Sequence, residues 1–294
     1  MSGIAFLLTL ICVVCYVFQG FFNKLFTRNY HGQDKDTTPV FVIIYSVITA
    51  LAAFMYNGFA FHPSLVTLLF GVGNGIILFL FNLSQIGAAK SGPFSFQNLM
   101  LVAGNIVIPL LFATMFWGDR MNLTQWIGIA IMAVAIIIFN CQGLTLEGHK
   151  KGYFGWVLLL FASNGIYGII LDSQQRVMAG TERNEMIIIS FTFAALISLV
   201  YLLICDGKKT GSAFKMNGKA WICVLLASVG SAVAINLLLI VLNMAPVSIV
   251  YVIVNGALFV VQAILGLIVF KEKLTWNIVV GAIAAIVSMV LLNI

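Results

Sequence analysis

The sequence predicts an all-α integral membrane protein whose ten transmembrane helices form two inverted five-helix repeats. Three observations carry this. First, 62% of the 294 residues are hydrophobic and 8% are charged, against roughly 25% charged in soluble domains. Second, the apolar residues gather into runs of membrane-spanning length. Third, residues 91–140 and 244–293 share their punctuation when laid over one another without gaps. A soluble fold could not hide so much apolar surface, because much of a globular surface must face water.

A spanning helix needs roughly 20 mostly apolar residues. The chain offers such runs at about 3–23, 38–56, 64–87, 92–117, 122–141, 153–174, 186–205, 219–242, 245–270 and 274–294. Charges, Gly or Pro mark most of the breaks. Lys90, Gly92 and Pro93 divide the third run from the fourth, and Asn243 and Pro246 divide the eighth from the ninth. Without those turns the runs are too long for one crossing. The longest polar segments, Arg28 to Asp36 and Asp206 to Lys219, are too short for a soluble catalytic domain. Gly71 and Gly75, Ala227 and Ser231, and Gly281 and Ala285 have the small-x-x-x-small spacing that lets membrane helices approach closely. The N-terminus lacks a basic n-region and a small-residue cleavage site, so the first apolar run is expected to stay in the protein.

In the repeat, Pro93 meets Pro246 and Ser95 meets Ser248. Asp119-Arg120 meets Glu272-Lys273, Gly128 meets Gly281, and Asn140 meets Asn293. These are helix starts, a charged turn, a packing glycine and a helix end, whereas apolar filler would match by accident. The expected organisation is a first five-helix repeat at 1–141, a linker at 142–152 and a second repeat at 153–294. Five is odd, so the second repeat starts on the opposite side of the membrane. Inverted repeats commonly support alternating access to a site near the midplane.

The two acid-bearing turns with their following glycines are FWGDRMNLTQWIG at 116–128 and VFKEKLTWNIVVG at 269–281. With the Pro-x-Ser helix starts before them, they make the chain resemble the drug/metabolite transporter superfamily, and within it the ten-helix EamA-type proteins. The resemblance extends over the whole chain in helix number and length, but its specific motif lies in those two stretches. It implies a two-times-five fold with a central cavity lined by helices 1, 3, 4, 6, 8 and 9. It also implies transport of amino acids, nucleosides, sugar-like metabolites or cationic drugs, among which fold alone does not choose.

Sorting Lys and Arg by loop puts twelve on one side: the eleven lysines and Arg28. Arg120, Arg176 and Arg183 fall on the other. The positive-inside rule then sets both termini outside the cytoplasm, whereas ten-helix relatives more often look termini-in.

Polar side chains in hydrocarbon need a partner or a water-filled cavity. Tyr16, Gln19 and Asn23 share one face of the first span, and Asn74 and Gln85 share one of the third. Asn98 and Asn105 are superposed in the fourth, and Asn164, Tyr167 and Gln174 align in the sixth. Ser231 and Asn236 lie in the eighth, with Asn243 beyond. Tyr251, Asn255 and Gln262 form a stripe in the ninth. The candidate substrate-binding set is Tyr16, Gln19, Asn74, Asn98, Asn105, Asn164, Tyr167, Asn236, Tyr251 and Asn255. The competing reading of each residue is interhelical hydrogen bonding with no substrate in sight. Spans 2, 5, 7 and 10 are poor in mid-span amides.

No Asp, Glu, Lys, Arg or His lies mid-span. Asp172 sits near a helix end, four residues before Arg176, and reads as its ion-pair partner. A proton-coupled cation exporter generally needs a buried carboxylate, so the expected cargo is a small neutral or zwitterionic polar metabolite, such as a nucleoside or amino acid. Export of organic cations or drugs, or a channel or lipid scramblase, are the alternatives. Cys12 and Cys15 form a mid-helix C-x-x-C with no second pair, and read as small packing residues. His31, His62 and His149 are scattered through loops. No paired acid, His cluster or Ser–base pair stands within the spans, so no enzyme is expected. No nucleotide-binding loop occurs. The expectation is no cofactor, no metal, no nucleic acid, and a monomer or homodimer in the lipid bilayer of the cell membrane.

Overall fold

A computed structural model describes residues 3–118, 120–143, 152–206, 210–242, 244, 247–271 and 275–292. The acid-bearing turn residues Asp119, Glu272 and Lys273, and the repeat positions Pro246 and Asn293, lie outside the described residues, as do Asn243 and most of the expected linker.

The described chain is helical, with no strand. Its helices are α1 (Gly3–Asn29), α2 (Thr37–Tyr56), α3 (Leu65–Ser91), α4 (Phe94–Phe112), α5 (Leu123–Gly143), α6 (Tyr153–Val177), α7 (Arg183–Asp206), the short α8 (Thr210–Ala213), α9 (Gly218–Leu242), α10 (Val247–Ile268) and α11 (Trp276–Leu292). Seven helices are long and apolar enough to cross a membrane, and three shorter apolar stretches lie in α5, α10 and α11. Every expected span therefore has a helix within a few residues of its expected position.

Two boundaries differ instructively. The first span was expected to end near residue 23, yet α1 runs to Asn29 and contains Lys24 and Arg28. The third was expected to end near 87, yet α3 contains Lys90. Long basic side chains can stay on a helix and carry their charge to a partner. Lys24 Nζ lies over the rings of Phe94 and Phe270, and Arg28 lies over Phe270. Lys90 Nζ donates to Asp34 and Thr37.

The helices pack in cross-chain pairs. α1 lies against α9 and α10, α2 against α7 and α9, α3 against α6 and α7, α4 against α6 and α10, and α5 against α11. Small residues permit the closest approaches. A Cβ on Gly75 of α3 would stand 2.7 Å from Phe193 Cβ and 2.9 Å from the Ser190 carbonyl of α7. Gly128 of α5 sits against Leu292 of α11, and Ser288 donates to its carbonyl at 2.6 Å. Cys12 is a free thiol that donates to the Ala234 carbonyl across the α1–α9 contact, as a packing residue would.

The connections gather at two ends. At one, Tyr30 donates to the Ala213 carbonyl, Lys35 to the Cys205 carbonyl, Lys24 to the Gly92 carbonyl and Tyr153 to the Pro93 carbonyl. At the other, Ser64 donates through its backbone and hydroxyl to Glu182, Asn57 donates to Glu185, and Asn184 donates to Asn57. The Asp172–Arg176 pair forms there at 2.8 Å, with Arg176 over Trp117.

Candidate functional site

Eight helices enclose a central cavity of about 170 Å³. All but α5, α8 and α11 contribute, so the lining includes α2 and α7 as well as the six helices the resemblance implied. Of the expected site residues, Tyr16, Gln19, Asn105, Asn164, Tyr167 and Asn255 line it. Gln85, Ser231 and Gln262, noted in the polar stripes, also line it.

Three expected residues stand elsewhere. Asn74 is buried and donates to Ser190 at 3.1 Å, joining α3 to α7. Asn98 is buried away from the cavity. Asn236 turns back on its own helix and donates to the Ala232 carbonyl at 2.7 Å. Their spacing put them on polar stripes, but Asn74 meets a neighbouring helix, Asn236 bonds within its own, and Asn98 Nδ2 is buried without a partner among the described residues. The side chain of Tyr251 lies outside what the structure describes.

Sequence reasoning missed Tyr45 of α2 and Phe191 of α7. Tyr45 is 3% exposed and anchors a network: Gln19 Nε2 donates to its hydroxyl at 2.9 Å, and that hydroxyl is 2.7 Å from Ser231 Oγ. Neither residue is an amide, and each sits in an apolar run, so a search for mid-span amides passes over both. Phe191 packs its ring 5.7 Å from that of Tyr45.

The amides divide by what they hold. Asn23 donates to Gln85 at 2.6 Å, and Asn164 donates to the Leu101 carbonyl at 2.7 Å, so both tie helices together. Asn105 and Asn255 have no side-chain hydrogen-bond partner among the described residues. The Gln262 Oε1 atom is buried and likewise without one. Pro109, one turn past Asn105, removes the helical donor for the Asn105 carbonyl. Among the described residues no Asp, Glu, Lys, Arg or His lines the cavity. Such a site offers neutral hydrogen-bond donors and acceptors beside aromatic faces.

Toward the end where the basic side chains gather, Phe94 lies 3.6 Å from the point a Cβ on Gly20 would occupy. The rings of Phe94 and Phe270 are 5.1 Å apart, under the Lys24 ammonium. An aromatic and cationic layer therefore stands next to Gly20 of the cavity lining.

A bundle of long apolar helices around a cavity of mixed apolar and uncharged polar lining points to an integral membrane protein. Residues 154–294 match the model of the EamA-like transporter family, a likeness over the second half of the chain that suggests a membrane transporter. This agrees with the resemblance read from the two acid-bearing turns. No curated protein matches the chain. Among solved structures, one described only as a crystal structure of a protein is similar at a TM-score of 0.62 and 13% identity. The match covers 99% of this chain and 96% of that one. At that identity the likeness speaks for the fold along the whole chain.

Proposed function

We propose that this protein is a secondary transporter of the cell membrane that moves a small neutral or zwitterionic polar metabolite by alternating access. One observation carries the reading: among the described residues the cavity is lined by amides and hydroxyls interleaved with apolar side chains, with Asn105, Asn255 and the Gln262 oxygen unengaged and no charged side chain. Its volume lies below the roughly 300–1,000 Å³ of drug-sized sites. That favours an amino-acid-sized solute over a nucleoside, and disfavours a large organic cation, which would also lack a carboxylate.

The two-repeat organisation, 1–141 and 153–294, is supported by the packing. If α1 to α5 correspond to α6, α7, α9, α10 and α11, exchanging the halves turns the α1–α9 contact into α6–α3. The same exchange turns α1–α10 into α6–α4 and α2–α9 into α7–α3. The α2–α7, α4–α10 and α5–α11 contacts map onto themselves. Two such halves can rock about a shared central site. The loop assignment made from the sequence groups twelve of the fifteen basic residues on one side, which the positive-inside rule would make cytoplasmic, with both termini outside. A reporter active on one side only, fused to the C-terminus, tests this, and a cytoplasmic signal refutes it.

The function is tested in liposomes, with a panel of amino acids, small amides, amines, sugars and nucleosides. Saturable uptake, accelerated by the same solute preloaded inside, is the expected result. Flux that neither saturates nor responds to preloading would mean a channel or scramblase.

A further inference from the structure

Within the cavity Gln262 stands apart from the other amides. It is 3% exposed, it comes from α10, and its Oε1 has no hydrogen-bond partner among the described residues; Asn23 Oδ1, Asn74 Oδ1 and Gln97 Oε1 are likewise buried and unpaired there, but of these four residues Gln262 alone lines the cavity. Its Nε2 lies 2.5 Å from where a Cβ on Gly20 of α1 would sit. That distance is below any ordinary non-bonded contact, so no other residue at 20 leaves the carboxamide where it is. The mid-helix glycine therefore makes room for a buried carboxamide whose oxygen has no partner among the described residues.

Buried carbonyl oxygens are nearly always paired, and in a bilayer bulk water does not relieve the exceptions. An unpaired acceptor beside a cavity is expected where a ligand supplies the missing donor. We infer that Gln262 selects the transported solute by accepting a hydrogen bond from its nitrogen, and that Gly20 sets the position from which it does so. The inference rests on the proposed transport function and narrows it. The solute is a small one carrying an N–H donor, and a counterpart with that nitrogen fully alkylated is rejected. A site that leaves its acceptor unpaired on binding the wrong solute discriminates strongly for that reason.

Two measurements test it. The first needs no ligand. Replacing Gln262 with methionine keeps the shape and removes the orphaned oxygen, so the purified full-length Gln262→Met protein should melt at a higher temperature than the parent. A lower melting temperature would mean that the amide is structural, and would overturn the inference. The second uses glycine, N-methylglycine and N,N,N-trimethylglycine as probes in liposomes. The parent protein should prefer glycine over the trimethylated form by about 5- to 150-fold, the value of one buried acceptor left unpaired. Gln262→Met should flatten that preference. Gly20→Ala should lower glycine uptake, and adding Gln262→Asn, one methylene shorter, should restore it.

Equal uptake of the three probes, or a preference that survives in Gln262→Met, overturns the inference. So does failure of all three while another solute of the panel shows saturable uptake, an outcome that leaves the transport function standing. If no solute moves at all, both fall.

Discussion

Gly104 and Gly73 are both helical glycines in apolar surroundings, yet the same substitution should act on them with opposite sign. At Gly73 of α3, an added Cβ meets nothing within 4 Å. Alanine there gains only helix propensity, about 0.5–1 kcal/mol. At Gly104 of α4, the Cβ would press on the Phe161 carbonyl of α6 and lie 3.0 Å from both Phe161 C and Cα. Carbon atoms sit comfortably at about 3.5–4.0 Å, so α4 and α6 must separate by about 0.5–1 Å. The bond from Asn164 Nδ2 to the Leu101 carbonyl spans the same interface at 2.7 Å. Such a separation carries it to the limit of hydrogen bonding. Overpacking costs about 1–3 kcal/mol, and an interhelical bond in a membrane is worth about 0.6–1.7 kcal/mol. After subtracting the propensity gain, Gly104→Ala should destabilise the protein by about 1–4 kcal/mol. Melting of the two purified variants in one detergent reads the difference directly. Transport should fall in Gly104→Ala as well, since Asn105 and Asn164 flank the contact. A Gly104→Ala protein as stable as the parent would show that the α4–α6 approach is not close.

Further outcomes follow from the polar contacts. Tyr45→Phe removes the hydroxyl that joins Gln19 to Ser231, leaving partners unpaired at about 1–3 kcal/mol; Ser231 can turn to its own helix backbone, so the loss falls mainly on Gln19. A melting temperature unchanged from the parent would refute that network. Asn255→Leu should abolish uptake with protein level and melting unchanged, because Asn255 holds no neighbour among the described residues. Asn164→Leu should lower stability too, through the lost α4–α6 bond; identical behaviour of the two variants would contradict the division between free and engaged amides. At the far end, hydrogen bonds from Thr67, and then from Ser64, hold the Glu182 carboxyl below its ordinary value of 4.5. A carboxylate favoured by folding contributes above that value and ceases to contribute as pH falls through its folded-state value. The melting advantage of the parent over Glu182→Gln should therefore be present at neutral pH and vanish as the pH drops below about 4.5; an advantage independent of pH would rule out a charge-dependent clamp.

The polar stripes were legible in the sequence because helical spacing superposes residues three, four or seven apart. Asn105, Asn164 and Asn255 could be picked out on that basis. Asn74 and Asn98 looked equivalent, since spacing states which residues share a face and not what that face meets. Asn74 faces Ser190 of α7, a pairing between residues 116 positions apart. Tyr45 was invisible for the complementary reason. Its run from Thr37 to Tyr56 holds no amide and no charge, and only the approach of α1 and α9 turns its hydroxyl into the centre of a network.

By itself the sequence determined the class of the protein. A chain 62% hydrophobic and 8% charged has one stable solvent, the bilayer, and in hydrocarbon each backbone polar group must be satisfied within its own helix. Helix number and helix position follow from that local requirement, and Lys24 and Arg28 blur a boundary only because long side chains can leave the helix to find a partner. Which amides hold the bundle together and which remain open to a solute was decided by the tertiary structure alone. That division depends on contacts such as Gly20 against Gln262 and Asn164 against Leu101, where a difference of a few tenths of an ångström separates a bond from a clash.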